Sequence, residues 1–189
     1  MLRLFTMLTR FIFLIVLSIG LFSCTTDQKT IIARGGEVCE VLLPEYMTPA
    51  PAPDSLTTLL YTGRAEGINE VCILVDDKKN LKNLGVNSTR EEFYFRATDD
   101  IITRNPKLKV SKPYHESIGL YSVIRGEVFN SEIPESDYYT LAVTETANYF
   151  FTISVKIKSK NHRKLQKEIE QILESFKEIT EFKAQSAKE

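Results

Sequence analysis

The side chains able to do chemistry in this sequence are few and scattered. It has two histidines, His115 and His162, and no Gly-x-Ser-x-Gly elbow, so a serine nucleophile with an adjacent base is not expected. His115 stands in Pro113-Tyr114-His115-Glu116, a polar lead into a strand, and reads as a surface histidine. The acidic pairs Asp76-Asp77 and Asp99-Asp100 lack His or Cys at ligand spacing and fit solvated turns or helix surface. There is no glycine-rich phosphate loop and no dinucleotide fingerprint, so neither a metal nor a cofactor is expected. Carboxylates that meet only in the fold, as in glycoside hydrolysis, leave no trace in sequence. One local rule is broken: Lys156, Lys158, Lys160, His162, Arg163, Lys164 and Lys167 crowd the end of a strand and the start of a helix, where the macrodipole disfavours positive charge. Two readings stand, a solvated basic face or a site for phosphate, anionic lipid or an acidic partner.

The three cysteines divide by context. Cys24 closes Leu21-Phe22-Ser23-Cys24, behind Arg3, Arg10 and an apolar stretch from Phe11 to Phe22. A basic start, a short apolar core and a small residue before the cysteine make a processing signal rather than a comfortable bilayer span. The tetrapeptide resembles the lipobox of bacterial lipoprotein precursors, which implies cleavage before Cys24 and its acylation. The alternative, an uncleaved anchor helix, would place Arg10 in hydrocarbon at a cost of about 2.5 to 3.5 kcal/mol. Cys39 and Cys72 then remain as an even pair in an envelope compartment, either a disulfide or two buried thiols in apolar strands. Asp54-Ser55-Leu56 resembles a short O-glycosylation acceptor, although loop chemistry alone also accounts for it.

Removing residues 1–23 leaves 22 basic against 25 acidic residues, which gives no bias toward nucleic acid. The expected organisation is a signal peptide over 1–23, a lipidated tether and lead-in over 24–36, one globular domain over 37–179 and a polar tail over 180–189. Alternation predicts strands over 31–34, 38–43, 56–62, 71–75, 108–110, 118–129, 138–144 and 149–158. Thr48 to Pro53 reads as an extended proline loop. A helix is predicted from Thr89 to Thr103, with Ser88 as N-cap and Glu91 completing a capping box. A longer one runs from His162 to Ile179 behind Asn161, with Leu165, Ile169, Ile172, Leu173 and Phe176 as its apolar stripe.

This order of elements, with Leu43-Pro44-Glu45-Tyr46, Tyr149-Phe150-Phe151-Thr152-Ile153 and Ile169 to Phe176, resembles the PsbP-like superfamily, which includes DcrB-like bacterial proteins. The resemblance spans most of residues 37–179 and implies an α+β fold: an antiparallel sheet flanked by helices in an α/β/α sandwich. It also implies binding, assembly or envelope maintenance rather than catalysis, and transfers no site residue. The sequence therefore reads as a lipid-anchored, non-enzymatic envelope protein facing the periplasm or cell surface. Its expected partners are the membrane and an envelope protein, lipid headgroup or glycan. The alternative is an envelope hydrolase assembled from scattered carboxylates and tyrosines.

Overall fold

The computed structural model describes residues 30–179 except residues 37, 54 and 56. Cys24, the signal segment, residues 180–189 and two positions of the 54–56 motif lie outside the described residues. Two antiparallel sheets are built from β1 (Thr30–Gly35), β2 (Cys39–Pro44), β3 (Thr48–Pro49), β4 (Thr57–Thr62), β5 (Glu70–Asp77), β6 (Lys109–Val110), β7 (Tyr114–Ile118), β8 (Tyr121–Phe129), β9 (Asp137–Glu145), β10 (Tyr149–Lys158) and β11 (Lys177–Glu178). The smaller sheet has the order β1-β2-β11. The larger runs β3-β4-β5-β10-β9-β8-β6, with β7 also on the outer edge of β8. Helices α1 (Lys78–Asn83), α2 (Arg90–Arg104) and α3 (His162–Ser175) complete the fold.

Strand parity divides the large sheet into two buried faces. Val71, Ile73, Val123, Ala142, Phe151, Ile153 and Val155 face α3 and the small sheet, where they join Cys39, Val41, Leu43, Leu165 and Ile169 in one core. Ile124, Val128, Leu141, Val143 and Phe150 face the other way, against Phe93 and Tyr94 of α2. The molecule is thus an antiparallel sheet between helical layers, with the small sheet beside α3.

Several elements differ from the sequence expectation for identifiable reasons. Ile118 to Phe129 is a hairpin, not one strand: Gly119 takes φ +58°, a left-handed conformation that turns β7 onto β8. The proline loop begins with an edge strand, since Thr48 and Pro49 pair with Thr62 and Tyr61, as proline is tolerated on an edge. Helix α1 had no sequence expectation; Asp77 creates it by accepting from the amides of Lys79 and Asn80. In α2 the cap is Thr89 with Glu92, one residue beyond Ser88 and Glu91, and both bonds of the capping box are present. Asn161 precedes α3 but makes no side-chain cap; a 3₁₀ turn over Ser159–Asn161 leads into the helix instead. Helix α3 stops at Ser175, and Lys177 and Glu178 pair with Glu40 and Cys39 of β2. Strand β1, in the segment expected to be lead-in, pairs with β2 over its whole length.

Candidate functional site

A cleft of about 350 Å³ opens where the turn after β2, the loop after β4 and the start of α3 meet, lined by Pro44, Glu45, Tyr46, Arg64, Lys164 and Glu168 among others. Glycines set its floor. A Cβ on Gly67 would stand 2.7 Å from the Tyr46 hydroxyl, so only glycine lets the ring lie against this backbone. The phenol accepts from the Ile68 amide at 2.9 Å and donates to Glu168 Oε2 at 3.1 Å. The Arg64 guanidinium lies 4.6 Å from the ring centroid, a cation–π arrangement. Burial pushes the Tyr46 phenol up to about 12, with the Ile68 amide acting against it and Glu168 adding to it, so the group stays a protonated donor at neutral pH. The cleft thus offers two cations, carboxylates and an aromatic face, and among the described residues no His, Cys or Ser lines it.

A second polar cluster lies between the large sheet and α3. Arg125, 6% exposed, points from β8 into the α3 side of the sheet. Its two terminal nitrogens grip Glu170 at 2.6 and 2.7 Å, and one also reaches Glu116 of β7 at 3.2 Å. Burial pulls the guanidinium pKa down, but the hydrogen bonds and charge of Glu170 outweigh it and the net shift is upward. Alongside, the Tyr138 ring stacks on His162 at 4.1 Å, and His162 Nε2 lies 3.9 Å from Glu127. Burial, then the Glu127 carboxylate beside it, raises the Tyr138 phenol pKa. These groups close an internal ion-pair network, which explains why a charge is tolerated at this depth.

The basic residues expected to form one anion site are divided by the fold. Lys156 and Lys158 bracket Asp137 at 3.2 and 2.7 Å, and Lys160 holds Glu135 at 2.6 Å. Arg163, Lys164 and Lys167 are exposed on the first turns of α3 and enter no ion pair among the described residues. The fold sets the two cysteines of the candidate disulfide, Cys39 and Cys72, on different sides of the large sheet. The reason is strand parity. Cys39 packs in the core shared with Val71 and Ile73, whereas Cys72, between those two on β5, points to the opposite face. Burial pushes the Cys39 thiol up to about 11 despite a backbone hydrogen bond from Gly35. His115 is exposed on β7, Asp77 caps α1 and Asp100 pairs with Arg104. Among the described residues, no group of three or more His, Cys, Asp or Glu is placed to hold a metal.

Sequence reasoning missed both polar clusters. Arg125 carried a signal, since it shares strand parity with Tyr121, Val123 and Phe129. The Tyr46 cleft carried almost none, because its walls come from three segments more than a hundred residues apart at the extremes.

No protein-family model and no curated protein matches this sequence. Solved structures do match in shape. The cyanobacterial PsbP protein CyanoP from Synechocystis sp. PCC 6803 superposes with a TM-score of 0.56 at 12% identity, covering 84% of this chain and 99% of that one. The Ran-binding protein Mog1p of Saccharomyces cerevisiae gives 0.55 at 10% identity, over 81% of this chain and 97% of its own. At such identities the likeness is one of fold alone: the chain has a PsbP-like α+β fold.

Proposed function

We propose that this protein is a lipid-anchored, non-enzymatic binding or assembly domain of a bacterial envelope. The observation that carries the reading is the state of its ionisable groups. Tyr46 is bonded to Glu168 in one cluster and Arg125 to Glu170 and Glu116 in the other, and among the described residues neither cluster sets a serine or cysteine beside a histidine. Tyr46 with Glu168 and Tyr138 with Glu127 bring together the residue types an envelope hydrolase would use. Burial holds both phenols protonated, the wrong state for a base. A cleft that is polar, open and ringed by charge suits recognition. The fold also serves recognition in Mog1p, which is described as Ran-binding. The lipobox-like segment ending in Cys24 supplies the anchor.

Metabolic labelling with a fatty acid tests the anchor. The full chain is expected to take up label and fractionate with membranes, and Cys24→Ala to accumulate as an unlabelled precursor. Label on Cys24→Ala, or an unlabelled and unanchored parent protein, would overturn the reading. The binding assignment is tested by crosslinking from a photoreactive residue at Glu66 on the cleft wall: a discrete adduct that Arg64→Ala abolishes is expected, and none from the cleft would count against it.

A further inference from the structure

Resting on that lipid-anchored reading, we infer that the end of the domain bearing the cleft and the start of α3 lies against the membrane, with Arg163, Lys164 and Lys167 set on an anionic phospholipid surface. The attachment point is the first observation. Cys24 stands six residues before Thr30, and a chain of that length spans at most about 20 Å when fully extended. Thr30 pairs with Pro44, and Pro44 lines the cleft together with Lys164. The leash therefore meets the fold beside the basic turns of α3 and holds that end close to the bilayer.

Charge is the second. Lys156 and Lys158 share Asp137, Lys160 pairs with Glu135, and Lys109 pairs with Glu132 at the same end. Glu45, Glu66 and Glu168 line the cleft beside Arg64 and Lys164. Arg163, Lys164 and Lys167 are left as an exposed group at i, i+1 and i+4, close enough on a helix to act together. Their attraction to an anionic surface reaches about one Debye length, roughly 8 Å at physiological salt, which is useful only to a protein already held there. The third observation is apolar. Ile133, 42% exposed, sits in the loop between β8 and β9, and the next residue, Pro134, accepts from the Lys160 amide just before α3. An exposed isoleucine on the loop that meets the start of α3 suits an interface between water and lipid. The opposite end of β8 carries Leu120, fully exposed at the β7–β8 hairpin tip, and would point away.

The sequence has no tryptophan, so one introduced indole reports one place. Lipidated full-length Ile133→Trp and Leu120→Trp proteins are reconstituted in vesicles of phosphatidylglycerol and phosphatidylethanolamine containing a dansyl-headgroup lipid, and indole-to-dansyl energy transfer is measured. The two positions are separated by the nine residues of β8, about 30 Å. Transfer should be several-fold stronger from the Ile133→Trp probe. It should fall toward that of Leu120→Trp when Arg163→Glu, Lys164→Glu and Lys167→Glu are added, all at exposed positions. Vesicle-bound protein with equal transfer from both probes, or transfer indifferent to charge reversal, would overturn the inference while leaving the anchor intact. Protein that carries no lipid and does not float with vesicles would overturn the anchored reading and this inference with it.

Discussion

Replacing Arg125 with methionine would keep much of its volume but leave Glu170 and Glu116 facing each other across the space the guanidinium filled. Removing one partner of a buried pair exposes the desolvation cost of the other, so Arg125→Met should destabilise the protein by about 3 kcal/mol. Adding Glu170→Leu should recover most of that loss, because a buried ion pair and an apolar substitute are often nearly equivalent. Urea unfolding of the single and double variants reads the difference. An Arg125→Met that unfolds like the parent would mean that the network contributes nothing. A neighbour gives a steric counterpart: a Cβ on Gly126 would lie 2.0 Å from the Tyr94 hydroxyl, within the α2 core. At this scale the sequence was least legible. Arg125 was visible as a charge at a core-facing parity, but Glu170 one residue after Ile169 looked like ordinary helix surface, and only the fold joins them.

The elements were the most legible, because periodicity reports which face is buried while leaving endpoints to local chemistry. Strand β10 is Tyr149–Lys158, as alternation predicted, and its apolar parity faces the larger core. The start of α2 slipped by one because Ser88 and Thr89 are both followed, three residues on, by glutamate; the backbone chose Thr89 and Glu92. Thr89→Ala should therefore cost about 1 kcal/mol in thermal or denaturant unfolding, and Ser88→Ala much less. Asp77 at the end of an apolar strand gave no periodic signal for a six-residue helix, so α1 went unread. The end of α3 was overrun because Phe176 continues the apolar stripe although its backbone, at φ −58° and ψ 133°, has already left the helix. Its ring still packs edge-on against Tyr121 and Phe151, at 5.4 and 5.0 Å. Phe176→Ala should open a cavity and lower stability by about 3 to 5 kcal/mol, whereas exposed Glu174→Ala should change the melting temperature little. Equal small effects would show that this ring does not seal the core.

For the whole molecule, the layered α+β architecture came with the PsbP-like resemblance that the order of elements carried, and the second, small sheet was not legible, since nothing local announces that residues 177–178 return to β2. Acid should act on the assembled protein through Asp137. Burial raises its pKa, but Lys158 and Lys156 outweigh that and hold the carboxyl below its ordinary value. A depressed folded-state pKa means stability fully present above about pH 4, the unfolded value, and lost as pH falls through the folded one. Asp137→Asn should lower stability at pH 7 by about 0.2 to 1 kcal/mol, the range for partly solvated pairs. Its curve should meet that of the parent in strong acid. Parallel curves across the acid range would show that the two lysines do not depend on this charge. The strand β2 sets one more condition, on the order of events. Its neighbour β1 leaves the ribosome just ahead of it, but the hydrogen bond from the Leu42 amide to Ser175 already spans 133 residues, and β11 follows later still. Contacts of such separation carry a large loop-closure cost and slow folding. Until residue 178 has been synthesised and released, the far edge of β2 is an open template for another strand. Closure of the small sheet therefore waits for a segment made more than a hundred residues after β2 itself.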